Sequence, residues 1–283
     1  MVGEDANKAW LKMPGIYKER FPFLEMAKKD YVATLYEVIE KSDILLEVLD
    51  ARFFEETRNT LAEKKIAEEG KKLIYVLNKI DLVGLKELKK KVHHLYPRVF
   101  FSCSQRKGGQ KLRERILMVA KELPYDKAFV GIIGYPNTGK SSLINVLKGK
   151  AVARTSSESG FTKGMQKVKL SGKITLIDTP GVIPEDKYSS SPGGKELTEL
   201  SKIGVKMHDK VKNPEIIVED LLKSHPGILE KHYNLAEEPP LTFLERVAKK
   251  RNYLLKGGRW DLDRAAREVL RDWQRGKILL KEI

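Results

Sequence analysis

Gly134-Tyr-Pro-Asn-Thr-Gly139-Lys140-Ser141 follows a short apolar run, Phe129 to Ile133, and leads into a segment with helical spacing, Leu143, Val146 and Leu147. The pattern G-x-x-x-x-G-K-[ST] between a strand and a helix is a phosphate-binding loop in the setting that such a loop requires. Its glycines let the backbone curl, so that consecutive N–H groups along Asn137, Thr138, Gly139, Lys140, Ser141 and Ser142 face a β-phosphate, helped by the positive end of the following helix. Lys140 then places a cation between the β- and γ-phosphates, and the Ser141 hydroxyl is a Mg²⁺ ligand.

Working outward, four more strand-length apolar runs flank this one: Ile44 to Leu49, Leu73 to Leu77, Val99 to Cys103 and Ile174 to Ile177. They read as strands buried on both faces. Helical spacing fills the gaps, with Leu24, Tyr31, Leu35 and Val38; Leu61, Lys65 and Ile66; Leu85, Leu88, Val92 and Leu95; and Leu112, Ile116 and Val119. Strand and helix alternate, which predicts an α/β fold with a mainly parallel sheet, its ligands held by the loops at the strands' carboxyl ends. From Lys195 onward the spacing is helical throughout (Leu197, Leu200, Ile203; Ile217, Leu221, Leu222; Leu262, Ala266, Val269, Trp273), which predicts a smaller all-helical domain. Two polar stretches, Thr155 to Gly164 and the Ser/Pro/Gly-rich Ile183 to Gly194, read as mobile connections, and a further strand is placed near Val168. The expected domains are an N-terminal extension over 1–23, the α/β domain over 24–190 and the helical domain over 191–283.

Three other strand ends carry chemistry. Asp178-Thr-Pro-Gly181 follows the run Ile174 to Ile177, where Asp178 faces the metal and the Gly181 N–H faces a γ-phosphate. Asn78-Lys79-Ile80-Asp81 follows Leu73 to Leu77. The Asp81 carboxylate accepts from guanine N1–H and the 2-amino group together, whereas adenine would leave it unpaired, so guanine is the base expected. Lys79 lays its stem over the purine and Asn78 braces the loop. Ser102-Cys103-Ser104 offers a backbone N–H to guanine O6, with Cys103 a small filler beside the base and no histidine placed to activate it. Thr162, in Ser159-Gly-Phe-Thr162, is the threonine expected to ligate Mg²⁺ from a flexible loop, with Thr155 the alternative.

The 283 residues are 41% hydrophobic and 33% charged, and no apolar run reaches the eighteen or so residues of a membrane span. A single cysteine and five histidines argue against intrachain disulfides and a structural zinc, and the N-terminus lacks signal-peptide features, so the cytoplasm is the expected compartment. Fifty-four Lys and Arg against 39 Asp and Glu give a net charge of +15, which favours a polyanionic partner, nucleic acid above all.

These guanine-nucleotide motifs stand in an unusual order, with the base loops at Asn78 and Ser102 ahead of the phosphate loop at Gly134, Thr162 and Asp178. The order resembles the circularly permuted GTPases of ribosome assembly. Val48-Leu-Asp50-Ala51-Arg52 and Glu56-Thr-Arg58-Asn59 are similar to the signature of their YlqF/YawG group, and Asp263 to Lys277 is similar to the group's closing helix. The resemblance implies a three-layer P-loop GTPase fold with permuted motifs, binding of GTP or GDP with Mg²⁺, and GTP hydrolysis as a switch in large-subunit assembly. It also implies a helical C-terminal domain on ribosomal RNA, with the chain a monomer bound to the large subunit or its precursor. Lys140, Thr162, Gly181 and Asn137 are the residues it assigns to catalysis, Asn137 by helping to hold K⁺. Val182 stands where many switch GTPases carry a water-positioning glutamine, and Trp10-Leu-Lys-Met-Pro14-Gly15-Ile16 lacks the histidine found in some members, so slow intrinsic hydrolysis stimulated by ribosomal particles is expected. Arg264, Arg267, Arg271 and Arg275 align along one helix face opposite Leu262, Ala266, Val269 and Trp273, as a phosphate-binding stripe or as a solvated face paired with Glu268 and Asp272. The competing readings are an RNA-binding scaffold with a structural nucleotide, a small-subunit assembly GTPase and a nucleotide kinase.

Overall fold

Each apolar run forms a strand. In the computed structural model, which describes residues 33–148, 166–178, 204 and 208–280, six strands make one sheet: β1 (Ile44–Asp50), β2 (Lys72–Asn78), β3 (Arg98–Phe100), β4 (Ala128–Ile133), β5 (Gln166–Lys169) and β6 (Ile174–Asp178). Their order is β3-β2-β1-β4-β6-β5, all parallel except the edge strand β5, which runs antiparallel to β6. The strand order reverses between β1 and β4, which opens the crevice where such sheets bind ligands. Register sets Asp50 opposite Asn78 and Glu47 opposite Ile133, so β1, β2 and β4 deliver their loops to one edge.

Alternation along the strands decides the layers. Ile44, Leu46 and Val48 of β1 pack with Leu112, Ile116 and Val119 of α3 (Gly109–Ala120) and Leu143, Ile144 and Leu147 of α4 (Lys140–Lys148). On the other face lie the helical residues 33–40, α1 (Thr60–Glu68) and α2 (Leu85–Lys91), which pack through Leu35, Val38, Ile66, Leu88 and Val92. The sheet and its helices form the three-layer α/β fold expected. Leu61 and Leu85, expected to face inward, are exposed. In α1 the small Ala62 instead lies on the core side with Ile66 and lets the helix approach the sheet.

Glu47 interrupts this second face with a carboxyl that is fully buried. Its Oε1 accepts the Asn59 N–H at 2.6 Å, and Asn59 in turn caps α1 by accepting the Ala62 N–H at 3.0 Å. Beside it, Glu63 is held by the Arg58 fork at 2.8 and 2.7 Å and by the Tyr75 hydroxyl at 2.9 Å. Burial, then the Glu63 charge, pushes the Glu47 carboxyl well above the usual carboxylate range. The folded chain therefore holds the Glu47 proton to higher pH than the unfolded chain, which releases it above about pH 4.5. A folded-state pKa raised in this way stabilises fully below the unfolded value, and that contribution is lost as pH rises toward the folded one. Glu47→Gln mimics the protonated form. The advantage of E47Q over the unaltered chain in urea unfolding should accordingly widen above about pH 4.5, by up to ~1.4 kcal/mol per pH unit; parallel stability curves would contradict it.

Beyond a 3₁₀ turn at His208–Lys210, α5 (Pro214–Ser224), α6 (Ile228–Tyr233) and α7 (Pro240–Arg251) pack around the apolar stripe of α8 (Leu262–Gln274), with Trp273 fully buried. This helical core includes two residues of the α/β region, Phe53 after β1 and Tyr135 of the phosphate loop. The Leu280 N–H reaches the Leu82 carbonyl at 3.0 Å, and Gly276 (φ +72°) lies where a Cβ would come within 2.5 Å of Leu82 Cδ1. The two regions are therefore closely joined. The boundaries expected near 23 and 190 fall outside the described residues, as do both connections expected to be mobile.

The arginine stripe of α8 is largely engaged. Arg267 grips Asp263 at 2.6 and 2.9 Å and donates to the His208 and Asp209 carbonyls, Arg264 stacks 4.1 Å from the Tyr253 ring centroid, and Arg271 lies 3.7 Å from Glu268 and 3.8 Å from Asp272. Among the described residues no helix is long and apolar enough to cross a membrane.

Candidate functional site

The phosphate loop leaves β4 and closes on itself before α4 begins. Lys140, almost buried, turns its ammonium back to donate to the Gly134 carbonyl at 2.9 Å and the Tyr135 carbonyl at 2.7 Å, while the Thr138 hydroxyl donates to Tyr135 O at 2.9 Å. The cation therefore sits within the curl of the loop. Asn137 adopts a left-handed conformation (φ 61°), and its side-chain amide donates 2.5 Å to the Gly204 carbonyl. Ser141 and Ser142 are exposed in the first turn of α4.

Asn78 joins three loops. Its Nδ2 donates to the Thr138 carbonyl at 2.7 Å, and its Oδ1 accepts the Cys103 N–H at 3.2 Å. Gly139 (φ +104°) passes so close that a Cβ there would lie 2.2 Å from Asn78 Nδ2. Gly139→Ala therefore brings both left-handed strain and collision. We expect nucleotide affinity to fall roughly 10- to 100-fold, the equivalent of about 1–3 kcal/mol of strain, in a fluorescent-GDP titration; unaltered affinity would contradict the placement.

Asp81 is presented by two hydroxyls: Ser102 Oγ donates to its Oδ1 at 2.6 Å and Ser104 Oγ to its Oδ2 at 2.7 Å. Of the backbone groups expected to meet guanine O6, the Ser102 N–H is spent on Lys107 O at 3.0 Å and that of Cys103 on Asn78. The amide of Ser104 is the one left for that contact. Burial pushes the Cys103 thiol up to about 12, so it stays protonated as a neutral filler.

Asp178 closes β6, which pairs directly with β4, so its backbone lies one strand from the phosphate loop. Thr155, Thr162, Gly181 and Val182 lie outside the described residues. Two residues named only in a signature, Asp50 and Arg52, occupy the switch point itself. Burial raises the Asp50 carboxyl, but the Arg52 and then the Lys79 charge outweigh it and hold that carboxyl far below the usual carboxylate range. The available signal was an acid and an arginine two residues apart at the end of a buried strand.

Residues 129–236 match the family described as 50S ribosome-binding GTPase. The chain is 40% identical over 248 residues to an uncharacterized GTP-binding protein of Methanocaldococcus jannaschii, an alignment spanning 85% of this chain and 64% of that protein. It is 39% identical over 258 residues to nucleolar GTP-binding protein 2 of Neurospora crassa, spanning 86% of this chain and 40% of that one. The chain thus spans less than two thirds of the length of these curated relatives. Among solved structures, GNP-bound YlqF from T. maritima superposes with a TM-score of 0.62 at 25% identity, covering 88% of this chain and 94% of that one. Fold, loop order and likeness together define a circularly permuted P-loop GTPase architecture. Within that class, the chain's fold is similar to that of YlqF.

Proposed function

We propose that the chain binds GTP and GDP, hydrolyses GTP to GDP and phosphate, and acts as a nucleotide switch in assembly of the large ribosomal subunit. The observation that carries this reading is the tie through Asn78, which makes the base loops and the phosphate loop one pre-organised unit. Asp81, held by Ser102 and Ser104, reads N1–H and the 2-amino group of guanine, and the Lys79 stem covers the ring. Asn137 to Ser142 cradle the phosphates. A divalent cation suits the remaining donors: the Ser141 hydroxyl is exposed beside the phosphate loop, and Asp178 and Thr162 complete a hard oxygen set suited to Mg²⁺. When bound, Mg²⁺ would neutralise charge between the β- and γ-phosphate oxygens. Lys140 meets the same charge, the Gly181 N–H would meet the γ-phosphate, and Asn137 would help to hold K⁺. With Val182 unable to orient water, hydrolysis awaits a group supplied by the ribosomal particle.

The names of the relatives, nucleolar GTP-binding protein 2 and the 50S ribosome-binding GTPase family, support a ribosomal partner. The surplus of +15 supports ribosomal RNA as the surface it meets, through residues 191–283 of a cytoplasmic monomer. Because Arg264, Arg267 and Arg271 are partly committed within the fold and Lys277 is paired with Asp272 at 2.8 Å, the free charge for RNA lies more with Arg275, Lys256 and Arg259, all exposed. Sedimentation with large subunits, compared between GDP and a non-hydrolysable GTP analogue, tests the reading alongside multiple-turnover hydrolysis. We expect co-sedimentation with the analogue and subunit-stimulated turnover; nucleotide-independent association without turnover would favour an RNA-binding scaffold.

A further inference from the structure

Asp50 ends β1 where the strand order reverses, between the base loop after β2 and the phosphate loop after β4. Two cations converge on its carboxylate. Arg52 engages it with a fork, Nε to Oδ1 at 3.0 Å and Nη2 to Oδ2 at 2.8 Å, and the Lys79 ammonium reaches Oδ2 at 2.8 Å. The side chains of Asp50 and Arg52 are each only 1% exposed. Lys79 is in a left-handed conformation (φ 65°) that aims its stem, and Asp50 fixes its head.

The third guanidinium nitrogen of Arg52 points away from the sheet. Its Nη1 donates 2.8 Å to the carbonyl of Trp273, in the last turn of α8. Such a carbonyl has no partner in its own helix's regular ladder, and a cation there also meets the negative end of the helix. The Gly276 N–H shares this carbonyl at 3.0 Å. The guanidinium is also flanked by the Phe53 and Trp273 rings, 5.2 and 5.9 Å from their centroids. A single buried carboxylate thus holds the lysine of the base loop with one oxygen and, through Arg52, the closing helix of the helical region.

We propose that Asp50 and Arg52 are positioning residues that couple occupancy of the base site to docking of the helical region, independently of the γ-phosphate. The proposal rests on guanine nucleotide binding at Asn78 to Asp81. A purine that orders the Lys79 stem restrains its head on Asp50, and Asp50 restrains the Arg52 fork that caps α8. The coupling is reciprocal: whatever base binding adds to docking, docking adds to base binding. Since GDP and GTP present the same base, both drive the relay equally. A route through the loop after Asp178 would separate the two nucleotides instead.

Hydrogen exchange at the Arg275, Gly276 and Lys277 amides, which bond to the carbonyls of Arg271, Trp273 and Asp272, reads docking of the closing turn. In the unaltered chain we expect GDP and a non-hydrolysable GTP analogue to slow exchange there to the same extent, about tenfold. Arg52→Lys keeps a cation for Asp50 but lacks the fork that also reaches α8. R52K should bind GDP about tenfold more weakly, with KM for GTP raised and kcat unchanged, and should lose the nucleotide dependence of exchange. Slowing by the GTP analogue alone overturns the proposal, as does an R52K chain that keeps both GDP affinity and nucleotide-dependent exchange. The comparison of nucleotides needs no substitution, so it stands even if R52K folds poorly. If the unaltered folded chain binds no GDP, the functional reading fails. If it binds GDP without any slowing, the coupling alone fails.

Discussion

Asp81→Asn is expected to weaken GDP and GTP binding about a thousandfold or more and to transfer the preference to xanthine nucleotides. Guanine presents two donors, N1–H and the 2-amino group, to a carboxylate that has only acceptors. Asparagine replaces one acceptor with an NH₂ donor that faces the 2-amino donor, so one of two buried polar groups is left unpaired. Xanthine carries an oxygen in place of that amino group and keeps N1–H, which restores donor to acceptor at both positions. The surroundings tolerate the exchange because the groups holding Asp81 are the Ser102 and Ser104 hydroxyls, and a hydroxyl both donates and accepts. Titration with GDP and XDP checks this directly. Retained GDP affinity would mean that the base does not lie against Asp81.

Trp273→Ala should cost about 3–5 kcal/mol of stability, the range for removing a fully buried large aromatic. Trp273 is fully buried, packs against Phe53 of the α/β region at 5.9 Å between ring centroids and meets His225 edge-on at 5.0 Å. The cavity would open where the two regions share a core, so the loss should fall first on the helical region and then on its attachment. Urea unfolding followed by far-ultraviolet circular dichroism should show a lower midpoint and an early transition from the helices. A loss below about 1 kcal/mol, the scale of a surface substitution, would contradict the shared core.

The loops were legible as motifs at strand ends, and the structure brings Asn78, Cys103 and Thr138 from three of them together. Five strands were legible as apolar runs too long and too β-branched to be anything but buried. What stayed hidden is what depends on partners far along the chain. The Arg52 contact to Trp273 spans 221 residues, and nothing local to either residue announces it. Glu47 is the one charged residue in the otherwise apolar run Ile44 to Leu49, and only the packing of α1 brings Glu63 and Asn59 to it. Tyr135 occupies a variable position of the phosphate loop, yet it belongs to the helical core. The arginines of α8 do align along one face, but alignment alone does not reveal that Asp263, Glu268 and Tyr253 already engage them. The Ser102 and Cys103 amides illustrate the same limit, since a turn's own hydrogen bonds decide which N–H is left for a ligand.

Calorimetric titration of the folded chain with GDP, a non-hydrolysable GTP analogue and ATP tests the central claim most directly. The arrangement of Asn78, Asp81 and Gly139 to Ser141 predicts that both guanine nucleotides bind at one site, with ATP weaker by about a thousandfold or more. ATP bound as firmly as GTP, or no binding of either by well-folded protein, would contradict it.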